Sequence, residues 1–160
     1  MRADDVSAGM NPPDHHESTA SDRWHVLQTV TNQSRANIIA DIVGHPRGAP
    51  SVDELAKTNP RLEKDTIRGH LSVLKDVGVV EERQIPVGER TRGYPYKFYQ
   101  LSHSARTLFD KNGLFPEDAW QRQYDRLVKD AEMRELEQMP RPATRHDTST
   151  DDRGDELTAD

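Results

Sequence analysis

Cysteine is absent from the 160 residues, which excludes disulfide scaffolding, thiolate metal sites and thiol catalysis. Apolar residues make up only 32% of the chain, and no run of them is long enough to span a bilayer. No basic-then-apolar leader opens the sequence, so a cytoplasmic protein with one small domain plus tails is expected. Catalytic signatures are missing too: there is no HExxH, no GxSxG and no phosphate-cradling Gly-rich loop, and an enzyme is not expected.

Lysine is scarce, with six against 16 Arg, while 17 of the 28 acids are Asp. This bias resembles proteins of salt-loving archaea. In near-molar salt the Debye length shrinks to about 3 Å, and only close, geometrically matched phosphate contacts keep much value.

The formal net charge of -6 argues against a nucleic-acid partner when taken whole, but the charge is unevenly placed. Residues 1–22 hold five acids and one base, and residues 140–160 hold six acids and three bases. The core between them holds 17 acids and 18 bases. Both ends consist largely of Asp, Pro, Ser, Thr and Gly, with little to bury, and read as disordered acidic tails. A metal at His15 and His16, flanked by Asp14 and Glu17, would lack a rigid frame there, so no metal site and no cofactor are expected.

Within the core, Trp24, Leu27 and Val30 mark a short helix from Arg23 to Val30. Thr31 or Asn32 can cap the next one, whose Ile38, Ile39, Ile42 and Val43 form a strong inward stripe before Gly44-His45-Pro46. Ser51 and Glu54 form a capping box opening a short helix that ends at Asn59-Pro60. A further helix runs from about Glu63 to Val77, with Ile67, Leu71 and Leu74 on one face and Gly78 as its left-handed terminator.

The period then changes. Val79–Val87 and Tyr96–Leu101 read as paired strands joined by a polar tip, 88–95, that carries Arg90 and Arg92. Ser102 caps a helix ending near Asn112-Gly113, and a last helix is expected over 117–138. Its Trp120, Tyr124, Leu127 and Ala131 make a seam that needs cover from the first helix, from a second subunit, or from both.

Three helices followed by a hairpin is the winged helix-turn-helix order: mainly α with a small two-stranded wing, spanning 23–113, here followed by a C-terminal dimerisation helix in 114–139. The partner expected for this arrangement is double-stranded DNA. Its 63–77 helix would leave Lys64, Asp65, Thr66, Arg68, Gly69, Ser72 and Lys75 outward. Arg68 suits guanine O6 and N7; Thr66 suits a thymine methyl or a phosphate; Lys64, Ser72 and Lys75 suit phosphates. His70 fits either a phosphate contact or a buried hydrogen bond. Arg90 and Arg92 can straddle a phosphate or enter a narrow minor groove, with Glu81, Glu82 and Glu89 weakening the positive field. The near-neutral core supports one alternative, a winged-helix module for protein interaction without specific DNA binding. A small-molecule effector near Phe115 and Trp120 is compatible with either reading.

The stretch Asn32 to Val80 resembles the ArsR-type winged-helix regulators, and 24–139 is similar to their haloarchaeal relatives. The resemblance is carried by Asn32-Gln33-Ser34-Arg35, by Ser51-Val52-Asp53-Glu54-Leu55-Ala56, and above all by the run from Thr66 through His70-Leu71 and Leu74 to Gly78-Val79-Val80. It implies a homodimer on a pseudo-palindromic operator, with the terminal helices pairing. Trp24 and Leu27 with Trp120, Tyr124, Leu127 and Ala131 are the interface residues expected for that dimer. The metal-sensing branch of the family uses thiolates or His-carboxylate sets that this chain lacks. Gly69 departs from the family's usual polar or basic residue; it costs about 1 kcal/mol in a helix interior but permits close backbone approach to DNA or to a neighbouring helix.

Overall fold

The computed structural model describes residues 20–142. The acidic tails, with His15, His16 and His146, lie outside the described residues except for 20–22 and 140–142. Seven α-helices and two strands follow one another: α1 Ala20–Val30, α2 Gln33–Gly44, α3 Val52–Thr58, α4 Lys64–Asp76, β1 Val80–Gln84, β2 Lys97–Leu101, α5 His103–Lys111, α6 Glu117–Asp125 and α7 Ala131–Gln138.

Side-chain caps set several of these starts. Asn32, not Thr31, caps α2 by accepting from the Arg35 amide at 3.1 Å. Ser51 and Glu54 form the expected capping box on α3, and Ser102 accepts from the Ala105 amide at the start of α5. At the end of α4, Gly78 takes φ 78° while the Val79 amide returns to the Leu74 carbonyl at 2.9 Å. That left-handed residue turns the chain directly into the wing.

The core forms where α2, α3 and α4 meet the wing strands. Ile38, Ile39, Ile42, Leu55, Ile67, Leu71, Leu74, Val79 and Phe109 are buried in it. Full burial of each such side chain is worth roughly 1.5–3 kcal/mol relative to exposure, so the stripe of α2 holds the helix-turn-helix pair together. The strands pair antiparallel with Val80 opposite Leu101 and Gln84 opposite Lys97. β2 is also tied to the turn before α3 by the Tyr99 amide, which donates to the Pro50 carbonyl at 2.9 Å.

Four expectations need correction. First, α1 begins at Ala20 rather than Arg23. Second, β1 ends at Gln84, short of Val87: beyond one more bond, Ile85 to Tyr96, Pro86 has no N–H to donate and 87–89 coil into a 3-10 turn. Third, the helix expected over 117–138 is two helices. Asp130 turns its carboxylate onto the Met133 amide at 2.8 Å and starts α7 afresh, offering the backbone an alternative to continuing α6. The continuous seam of Trp120, Tyr124, Leu127 and Ala131 is thereby broken.

Fourth, the segment from 140 does not begin as a free tail. Arg141 is threaded back into the domain. Its guanidinium donates to Glu54 Oε1 at 2.6 Å, to the carbonyls of Ala49, Leu136 and Met139 at 2.9 to 3.0 Å, and lies over the Phe98 ring at 4.4 Å. Glu54 also accepts from the Ser51 amide and hydroxyl, and its other oxygen meets His45 Nε2. The Arg47 amide donates to His45 Nδ1 at 3.0 Å, leaving Nε2 to carry the proton toward Glu54. The end of α2, the start of α3, the base of β2 and the C-terminal segment thus share one buried polar junction.

Candidate nucleic-acid interface

Helix α4 is anchored from behind by Ile67, Leu71 and Leu74, all buried, and turns its other side to solvent. Lys64, Asp65, Thr66, Arg68, Gly69, Ser72 and Lys75 are all exposed on it, as expected. Val73, which the pattern analysis did not single out, is exposed there too.

The cations of this face are not equally available. Arg68 is 56% exposed and its Nη1 donates to Asp65 Oδ1 at 2.8 Å, which leaves the rest of its fork open. Lys64 is drawn back to Asp53 of α3 at 2.8 Å, and Lys75 to Glu82 of β1 at 3.3 Å. Both pairs are partly exposed and can exchange their partner for a phosphate at small cost. His70 is half-buried beside α2. Burial and the nearby Arg35 charge hold its imidazole below the ordinary value, so it is the least suited of the set to contact phosphate as a cation.

In the wing the two arginines part company. Arg90 folds inward: its Nε donates to the Ile85 carbonyl at 2.8 Å, Nη2 donates to Gln84 Oε1 at 3.2 Å, and the guanidinium covers the Tyr96 ring at 3.8 Å. It braces the loop. Arg92 is exposed and makes no hydrogen bond or ion pair among the described residues. Two of the acids near the wing are engaged within the domain, Glu82 accepting from Gln84, Lys75 and Tyr99 and Glu81 from Gln100 and Arg83, whereas Glu89 in the tip is exposed. Gln84 foremost, with Lys75, keeps the Glu82 carboxyl below its usual range, while burial and Glu82 push the Tyr99 phenol up to about 12.

Between α4 and the wing runs a groove of about 370 Å³, bounded by Val52, Arg68, Tyr94, Tyr96, Lys97 and Tyr99. Tyr94 donates to Glu135 of α7, and Lys57 of α3 pairs with Asp130 and Glu132 at 2.9 and 2.7 Å. The C-terminal helix is thereby fastened to both α3 and the wing. Neither link was legible beforehand, because each joins residues more than 40 positions apart.

The residues expected at a dimer interface fall into two groups. Tyr124 is buried and Trp120 half-buried against the same chain, where α6 packs on α2. Gly44 permits this contact, for a Cβ there would stand 2.8 Å from the Trp120 carbonyl oxygen. Trp24 at 62% exposure, Leu27 half-buried on α1, Leu127 at 44% exposure and Ala131 at the solvent-facing start of α7 remain on the surface. Among the described residues no cluster of His, Asp and Glu is arranged to hold a metal ion, and no helix is long and apolar enough to cross a membrane.

The fold is a winged helix-turn-helix. It superposes on a solved protein with a GntR-superfamily winged-helix-turn-helix domain from Halomicrobium mukohataei, with a TM-score of 0.71 and 22% identity over 84% of this chain and 97% of that one. No protein-family model matches the chain, and no curated protein matches its sequence.

Proposed function

We propose that this chain is a sequence-specific double-stranded DNA-binding transcriptional regulator, with α4 in the major groove and the wing against backbone or minor groove. The observation that carries the proposal is α4 itself: three aliphatic side chains hold it from behind while its first turns, Arg68 included, stand open to solvent. Arg68 is the base reader, on guanine O6 and N7. Thr66, Ser72, Lys64 and Lys75 supply positioning contacts, and Gly69 lets the backbone come close. In the wing, Arg92 reaches DNA and Arg90 shapes the loop that carries it. The protein works by occupying a promoter rather than by chemistry, and no cofactor is needed for that.

The ArsR-type resemblance of 32–80 supports a homodimer on two half-sites. With Trp120 and Tyr124 engaged inside the chain, Trp24 and Leu27 of α1, together with Leu127 and Ala131, are the surface left for it. Away from the expected place at Phe115 and Trp120, neither of which lines it, an effector has room in a cleft of about 920 Å³ between the end of α2, β2, α5 and α6, lined by Arg47, Gln100, Arg106, Glu117 and Gln121. This cleft lies beside Arg141, which also lines it.

A second reading, a module for protein interaction, draws on the pairing of Lys64, Lys75 and Arg90 within the chain. Selection of duplexes from a random pool at fixed salt separates the two. A regulator enriches one motif, and Arg68→Ala costs it about 1 to 3 kcal/mol on that motif and relaxes one position. An interaction module enriches none.

A further inference from the structure

Next to Lys64, which is drawn back to Asp53, the outward face of α4 carries a carboxylate in its first turn. Asp65 is 92% exposed, and its Oδ1 accepts from Arg68 Nη1 at 2.8 Å. Further along the same face stand Gly69 and Ser72, both exposed and both short. Added atoms at Gly69 would meet nothing of the chain within 4 Å. Asp65 and Arg68 therefore stand clear of Gly69 and Ser72 on the exposed face and are open to a surface that α4 approaches.

A carboxylate so placed needs an explanation. As an exposed pair three residues apart it adds little to stability, and the favourable field of the helix start is available to any acid in the first turn. Facing a polyanion, it is repelled unless it finds a proton donor. In the major groove those donors are the exocyclic amino groups, N4 of cytosine and N6 of adenine. Adenine N6 lies between two acceptors, its own N7 and thymine O4, which repel a carboxylate that only accepts; cytosine N4 has an acceptor, guanine O6, on one side only.

We propose that Asp65 is a specificity-determining residue: it accepts from a cytosine N4 amino group in the major groove and, through the same carboxylate, holds the Arg68 guanidinium for the guanine of a neighbouring base pair. This rests on the DNA-reading function proposed above. One N–H of Arg68 is committed to Asp65, and the remaining donors of the fork serve guanine.

The test is duplex selection from a random pool at fixed salt with the full chain, Asp65→Ala and Asp65→Asn, each first shown to melt cooperatively. The parent is expected to enrich cytosine at one position beside the guanine set by Arg68. Asp65→Ala loses about tenfold of the preference at that position while binding random duplexes more tightly, because a charge of the same sign as phosphate is gone. Asp65→Asn, which carries both a donor and an acceptor, shifts the position toward adenine. A parent motif that responds to Arg68→Ala but not to either Asp65 variant would overturn this inference alone. A parent that enriches no motif would overturn the DNA-reading function, and the role of Asp65 with it.

Discussion

Arg141 and Glu54 form an ion pair at 2.6 Å with both side chains only 1% exposed, although 87 positions separate them. Through Glu54 the pair reaches His45 and Ser51, and through Arg141 it reaches the turn before α3 and the ring of Phe98. The C-terminal segment is thus part of the helix-turn-helix core.

Removing one partner leaves the other charged and buried, a change that costs about 3–5 kcal/mol. Arg141→Ala should lower the midpoint of chemical denaturation accordingly, and a chain truncated after 138 should lose a similar amount. Unchanged midpoints would mean that the C-terminal segment is not locked to the core.

The same junction sets the acid limit of the fold. Burial raises the Glu54 carboxyl, but the hydrogen bond from His45, the charge of Arg141 and the Ser51 amide more than offset this, so it lies below its ordinary 4.5. The unfolded chain therefore binds more protons in that interval. The stabilisation is complete above the unfolded value and is lost as pH falls through the folded one. Denaturation midpoints should drop on acidification below about 4.5, and this part of the slope should be missing in Glu54→Gln, itself less stable at neutral pH. Equal slopes in the two proteins would remove Glu54 as the cause.

Two glycines should respond in opposite directions to alanine. At Gly44 a Cβ would stand 2.8 Å from a backbone oxygen of α6 and 2.9 Å from Tyr124 Cβ, so Gly44→Ala should destabilise by about 1–3 kcal/mol. At Gly69 the space is empty and the conformation helical, so Gly69→Ala should stabilise by up to about 1 kcal/mol. Paired denaturation curves check both signs.

Gly69→Ala should also weaken binding to the selected duplex, because the added methyl holds the helix off the groove floor. A variant that is more stable yet binds more weakly assigns the glycine to the interface. If binding is unaffected, close backbone approach is not its purpose.

The wing arginines should separate in salt titrations. Arg92→Ala should weaken many sequences alike and lower the salt slope by about 1, with no change in melting. Arg90→Ala should disturb melting and the wing's amide protection, since its guanidinium holds Ile85, Gln84 and Tyr96 together.

The parts of this fold that were legible beforehand are those encoded over one or two helical turns. The stripe of Ile38, Ile39, Ile42 and Val43, the Ser51–Glu54 capping box and the Gly78 terminator all act on residues close in sequence, and each appears where expected. The wing strands were found but drawn too long, because Pro86 halts the ladder without disturbing the apolar pattern. The last helix was misread at Asp130, a polar residue in a helical pattern that competes for backbone amides only once the chain around it has turned. Arg141 gave no local signal. It looked like one charge in an acidic tail, and its burial depends on Glu54, Ala49 and Phe98, all distant in sequence. At the candidate interface the exposed face of α4 was foreseeable from helical spacing, whereas the inward turn of Arg90 follows from contacts made by the folded loop.

The central claim is that α4 meets DNA with its first turns. Hydrogen–deuterium exchange of the full chain, with and without a duplex carrying the selected motif, tests it most directly. The account predicts added protection along 64–75 and in the wing loop around Arg92, with α6 unchanged. Protection confined to α1, α6 or α7, with 64–75 exchanging as in the free protein, would contradict it.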